Sequence, residues 1–295
     1  MSTIEIKNIT KRFNNVLAVD NISAIIEENK IYGLLGRNGA GKSTLLKMIT
    51  NNIFPTSGEI FIDGDPVLEN DRTLSKVYCM TEKNLYPERM KIKDSFKWSK
   101  EFYPNFNMDY AKGLSEKFAL KLNKNIRELS TGYSSIFKVI IALSCNAPII
   151  LLDEPLLGLD ANHRDLFYKE LLQNYLESPK TFVISTHLIE EASDIISEVM
   201  ILDNGKVILN DNIDNINEKG YTISGKASSI DNFITGKNVI GIDTLGGLKT
   251  AYIFGNLDKK TITPDIEVSK LNLQKLFIKL TNSSNSNNTD RSVNQ

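Results

Sequence analysis

Short apolar runs alternate along this chain with segments whose apolar residues recur at helical spacing. Ile4, Ile6 and Ile9 alternate with polar residues as a half-buried strand does, and residues 22–26 continue the β character. Ile31-Tyr32-Gly33-Leu34-Leu35 is an apolar run that ends in a glycine-rich turn, and helix character follows over residues 43–50. In a Lys- and Glu-rich stretch, Phe96, Trp98, Phe102, Phe106, Tyr110, Leu114 and Phe118 fall at helical spacing, which predicts a helical insertion over residues 91–122. Residues 149–152 and 181–185 have the continuous apolar character of strands buried in a parallel sheet, with a helical pattern from about 163 to 176 between them. The order is that of an α/β fold.

The pattern changes after Asp203-Asn204-Gly205-Lys206, which has the composition of a hairpin turn. Short β-like pieces follow at 221–224, 239–242, 250–254 and 266–268, and an amphipathic helix closes them at 271–280. The expected division is a main domain over 1–218, with its helical part at about 83–145, and a small α+β accessory domain over 219–281. The last stretch, 282–295, is dominated by Asn and Ser, too poor in apolar surface to offset ordering entropy, and is expected to be disordered.

Composition narrows the function. The 295 residues are 41% hydrophobic and 24% charged, as in ordinary globular proteins. Lys+Arg 35 against Asp+Glu 36 leaves a net charge of -1, so no basic field recruits nucleic acid. The longest apolar stretch, 139–152, is broken by Ser144, Asn146 and Pro148 and falls short of the roughly 20 residues that cross a bilayer. The N-terminus lacks the basic segment and apolar run of a secretory signal, so a cytoplasmic chain is expected. Cys79 and Cys145 stand in no metal-ligand or redox spacing and are expected to be free thiols.

Chemistry enters at Gly36-Arg37-Asn38-Gly39-Ala40-Gly41-Lys42-Ser43-Thr44, which matches in full the phosphate-loop pattern of Gly, four residues, Gly, Lys, then Ser or Thr. Glycines let backbone N–H groups converge on phosphate oxygens, the helix that follows points its positive end at them, and Lys42 adds a full charge. Ser43 can offer its hydroxyl to Mg²⁺. Ile149-Ile150-Leu151-Leu152-Asp153-Glu154 is a buried strand ending in two carboxylates: Asp153 is expected to hold Mg²⁺, and Glu154 to polarise the water that attacks the γ-phosphate of ATP. His187 follows the run Phe182-Val183-Ile184-Ser185-Thr186, at a strand end from which an imidazole reaches a ligand of an α/β sheet.

With these elements in order, residues 4–211 resemble the nucleotide-binding subunit of the ABC transporter family. Leu129-Ser130-Thr131-Gly132-Tyr133 stands where that family's signature loop lies, before the apolar helix leading into the Asp153-Glu154 strand. The resemblance implies a P-loop ATPase fold of mixed β core, helical subdomain and antiparallel β subdomain. It implies a dimer, homomeric or with a related second ATPase, in which Ser130 and Gly132 contact ATP bound to the opposite subunit. Gly158-Leu159-Asp160 resembles the loop crossing that interface, and Asp160 is expected to contact nucleotide there. Phe13 resembles the aromatic that stacks on adenine, although it fits a core position equally well.

Two departures stand out. The family usually has Gln where Cys79-Met80-Thr81-Glu82 places Glu82, and a carboxylate there still binds Mg²⁺ through water but alters the local charge. Thr131 replaces a usual Gly and Tyr133 a usual Gln, which restricts a loop that must approach phosphate and predicts slower hydrolysis. Glu82, the aromatic-rich insertion with Phe102-Tyr103-Pro104-Asn105-Phe106, and the closing helix resemble bacterial exporter ATPases of the bacitracin-resistance and Ytr type. The implied partner is a separate transmembrane permease that holds the chain at the inner face of the membrane, and the implied cargo is an exported peptide, antibiotic or lipid. The insertion's aromatics serve either as subdomain core or as a groove for a helix of that permease. The alternative function is a nucleotide-dependent binding or sensor module with weak hydrolysis.

Overall fold

The computed structural model describes residues 2–258 and 262–289, with side chains for all of these except 283–289. The chain opens with the antiparallel pair β1 (Ile4–Phe13) and β2 (Val16–Ile26), longer than their apolar alternation alone suggests. Next come β3 (Ile31–Gly36), fully buried, and α1 (Lys42–Ile49). After these, β4 (Ser57–Ile62) pairs with β1, and β5 (Asp65–Pro66) completes a four-stranded antiparallel sheet of order β2-β1-β4-β5.

A short α2 (Asp71–Leu74) leads to β6 (Val77–Met80). The helical insertion is made of two helices, α3 (Ile92–Phe102) and α4 (Met108–Lys117). They break at Tyr103, which is extended because the ring of Pro104 disfavours a helical residue before it; Asn107 then caps α4 by accepting from the Tyr110 N–H. Phe96, Phe106 and Phe118 are buried, as the core reading expects, whereas Trp98 and Phe102 are exposed.

The very apolar α5 (Thr131–Ser144) leads into β7 (Ile149–Asp153), α6 (Ala161–Glu177), β8 (Thr181–Thr186) and α7 (Ile189–Ala192). Then β9 (Glu198–Asp203) and β10 (Lys206–Asn212) form the expected hairpin, with Asn204 and Gly205 both at positive φ. The central sheet has order β10-β9-β3-β8-β7-β6, parallel except for β10.

The C-terminal part adds α8 (Ile213–Lys219), β11 (Gly220–Lys226), α9 (Ala227–Ile234), β12 (Val239–Leu245), β13 (Leu248–Phe254), β14 (Ile266–Lys270) and α10 (Leu273–Thr289). Its antiparallel sheet, β12-β13-β11-β14, closes one small core around Ile223, Ile230, Phe233 and Ile253. Tyr252, Leu271, Leu273 and Leu276 belong instead to the large core that contains Ile189 and Ala192 of α7.

The stretch expected to be disordered from residue 282 is helical as far as Thr289. A helix already nucleated and packed through Leu276 gains a hydrogen bond with each added residue, which outweighs the poor propensity of Asn and Ser. Residues 290–295 of that stretch lie outside the described residues. Among the described residues no helix is long and apolar enough to cross a membrane.

Candidate active site

Four parallel strands bring their C-terminal ends to one edge of the central sheet: β3 at Gly36, β6 at Met80, β7 at Asp153 and β8 at Thr186. Diverging loops leave a crevice at such an edge. Here a cleft of about 270 Å³ is lined by Asn38, Ser43, Glu82, Lys138, Asp153, Glu154, Leu157 and His187.

The loop from Gly36 carries the chain from β3 into α1. Gly41 caps the helix at φ 107, and a Cβ there would lie 2.5 Å from the Ala18 carbonyl, so conformation and space both demand glycine. Lys42 turns inward, 7% exposed, and donates to the carbonyls of Gly36 (2.7 Å) and Arg37 (3.3 Å). Burial pushes its ammonium below the ordinary lysine value, against the opposing charges of Glu154 and Asp153. Ser43 Oγ donates to Asp153 Oδ1 at 3.0 Å, joining the first turn of α1 to the end of β7.

Glu154 has φ 49, a left-handed conformation that costs a residue with a Cβ about 1–2 kcal/mol. The turn is held by its N–H donating to the Ser185 carbonyl at 3.0 Å. It leaves Glu154 Oε2 2.9 Å from His187 Nδ1 and Oε1 3.9 Å from Lys42 Nζ. Backbone strain of this kind is typical of positions that aim a functional side chain.

Asn38, Ser43, Glu82, Asp153, Glu154 and His187 thus share one cleft, with Lys42 reaching Glu154, and Gly36, Gly39, Ala40, Gly41 and Thr44 supply the surrounding loop and first helical turn. Phe13, Ser130, Gly132 and Asp160 are not among the cleft's lining. Phe13 is 45% exposed, which removes the core reading; it ends β1 opposite Val16, two residues from the Ala18 that packs on Gly41. Ser130 caps α5. Asp160 caps α6 by accepting from the His163 N–H, and those contacts hold its carboxyl below the usual range. Gly132 lies directly against Gly158, where a Cβ would come 2.4 Å from the Gly158 carbonyl oxygen.

Lys138 is the charged lining residue that the motifs do not contain. Its signal in the sequence is a single charge inside the apolar run Ile136-Phe137-Lys138-Val139-Ile140. Elsewhere, an open depression of about 750 Å³ at the opposite edge of the sheet, lined by Asn29, Asn105, Asn146, Asn174 and Lys180 among others, contains none of the predicted residues.

The ABC transporter family model matches residues 19–157, which carry the phosphate loop, the Leu129–Tyr133 segment and the Asp153-Glu154 pair. Over 282 residues the chain is 26% identical to the ABC transporter ATP-binding protein YtrB of Bacillus subtilis (strain 168), covering 93% of this chain and 97% of that one. It is 31% identical over 214 residues to the Nod factor export ATP-binding protein I of Burkholderia lata, covering 70% of each. The chain belongs to the family of ABC transporter ATPases.

This ABC subunit is also similar to a methionine import ATP-binding protein of Staphylococcus epidermidis, at 32% identity over 70% of this chain and 64% of that one. Its fold matches the solved dimeric cassette MJ0796 in a post-hydrolysis state with ADP and Pi: TM-score 0.64 and 24% identity, over 71% of this chain and 98% of that one. The expected P-loop α/β fold and the ABC resemblance are borne out.

Proposed function

We propose that ATP binds in this cleft with Mg²⁺ and is hydrolysed by a dimer that drives a separate transmembrane permease. The observation that carries the reading is the junction of Ser43 Oγ and Asp153 Oδ1, 3.0 Å apart, beside the paired Glu154 and His187. Hydroxyl and carboxylate oxygens are the donors Mg²⁺ takes, so Ser43, and Asp153 through a water, would hold the ion here. Mg²⁺, when bound, polarises the phosphoryl oxygens and offsets their charge. Glu82 lines the same cleft and is assigned to water around the ion.

Lys42 and the backbone N–H groups of the loop grip the phosphates, and Phe13 stacks on adenine from its exposed position. Glu154 accepts the proton of the attacking water, and His187, 2.9 Å from it, orients that carboxylate and reaches the γ-phosphate. Ser130, Gly132 and Asp160 lie outside the chain's own cleft and are assigned to the ATP of the opposite subunit, a second copy or a related chain. Exposed Trp98 and Phe102 on α3 are the surface assigned to a helix of the permease, which holds the chain at the inner face of the membrane. Export of a peptide, antibiotic or lipid is the proposed direction, supported by the likeness to the Nod factor export protein; the likeness to an import protein weighs against it.

The test compares ATP turnover by the purified chain with that of Glu154→Gln while following the oligomeric state. Turnover should fall on the order of 10²–10⁴-fold, with ATP binding kept and an ATP-bound dimer accumulating. Full turnover in Glu154→Gln would remove Glu154 from the chemistry.

A further inference from the structure

We propose that Lys138 is a positioning residue of the nucleotide site. Its ammonium fixes the Thr81–Glu82 segment to α5 and supplies the charge that lets Glu82 share the cleft with Asp153 and Glu154. The inference rests on the nucleotide reading of the cleft and adds a residue outside the phosphate-loop, signature and strand-end motifs.

Lys138 is 9% exposed on a helix whose adjoining residues Ile136, Phe137, Val139 and Ile140 are all fully buried apolar side chains. A lysine in such surroundings is costly unless its donors are used and its charge is offset. Both conditions are met at the cleft. Its Nζ donates to the Thr81 carbonyl at 3.0 Å and the Glu82 carbonyl at 2.9 Å. These two residues follow β6 immediately, past its last pair with β7 at Met80 and Leu152, so the sheet ladder no longer organises them. An ammonium with three N–H groups can bind two carbonyls at once. Burial lowers the Lys138 pKa, and the charges of Glu82 and Asp153 act the other way, so its charge balances those carboxylates.

The cleft therefore sets Glu82, Asp153 and Glu154 against Lys42 and Lys138. Without Lys138, three carboxylates would face one lysine in a site that must also accept a polyphosphate. Helix α5 carries the arrangement further: Ser130 caps its start, and Lys138 lies about 12 Å along it.

Hydrogen exchange of the nucleotide-free full chain reads the clamp without any nucleotide. Amides just after β6, over residues 81–85, should exchange about tenfold faster in Lys138→Met than in wild type, as expected for the loss of charge-assisted hydrogen bonds. Mg²⁺–ATP affinity reads the charge: it should fall about tenfold in Lys138→Met and recover to within about threefold in Lys138→Met with Glu82→Gln. If Lys138→Met does not fold, Lys138→Gln, a shorter side chain whose amide NH₂ carries no charge, carries both measurements. Wild-type exchange over 81–85 in the variant, or no recovery on adding Glu82→Gln, overturns the proposal. Absence of ATP binding by the wild-type chain would instead overturn the nucleotide reading, with the exchange result still deciding the clamp.

Discussion

Replacing Gly132 by alanine tests whether the Leu129–Tyr133 segment is locked to the loop before α6. A Cβ on Gly132 would lie 2.4 Å from the Gly158 carbonyl oxygen. An ordinary C···O contact is about 3.3 Å or longer, so close to 1 Å of displacement must be absorbed. The neighbour is backbone, and it is tied down: Ser135 Oγ donates to the Leu157 carbonyl at 2.7 Å, Asp160 caps α6, and Gly158 itself has φ 77. Overpacking of this kind costs about 1–3 kcal/mol. Against it stands the gain in helix propensity on replacing glycine in the first turn of α5, at most about 1 kcal/mol. The clash wins, and a net loss of about 1–2 kcal/mol is expected in denaturant unfolding. Gly132 lies outside the chain's own cleft, so ATP affinity measured on the monomer should stay within about twofold while turnover falls at least about tenfold. Gly158→Ala should show the same split for a different reason, the left-handed backbone cost of about 1–2 kcal/mol. Wild-type stability together with wild-type turnover in Gly132→Ala would refute the locked arrangement.

Two further outcomes follow from single contacts. Phe13→Ala should weaken ATP binding about five- to tenfold, the loss of roughly 1 kcal/mol of stacking, and leave the unfolding midpoint unchanged because the ring is 45% exposed; a large midpoint shift with unchanged affinity would return Phe13 to the core. Burial pushes the Cys145 thiol up to about 12 from an unfolded value near 9.0, so between those pH values the unfolded chain has lost a proton that the folded chain keeps. Stability due to this group is therefore complete below pH 9 and is lost as pH rises towards about 12. In urea titrations Cys145→Ala should lose stability less steeply than wild type across that window.

The cleft was legible where chemistry is encoded in contiguous residues. The phosphate loop, the Asp153-Glu154 pair and His187 each occupy a short segment whose type and order are visible without coordinates, because strand ends and helix starts fix where such segments point. Lys138 was not legible as a site residue. In sequence it is one cation in an apolar helix, and only the packing of α5 against the end of β6 shows that two orphan carbonyls receive it. The insertion's aromatics share one periodic pattern, and Pro104 signals a break, but which rings are covered depends on what α5 presents to them: Phe96 stacks on Phe137, while Phe102 faces solvent.

By itself the sequence determined the α/β order, the nucleotide loop and the family, because local propensity, periodicity of burial and motif spacing are properties of neighbouring residues. Only the tertiary structure decided which residues meet across the chain. It joined Ser43 to Asp153, faced Gly132 with Gly158, packed the C-terminal helix on α7 and brought Lys138 to the cleft. Those pairings depend on long-range packing, where the burial of one face is settled by elements tens to hundreds of residues away.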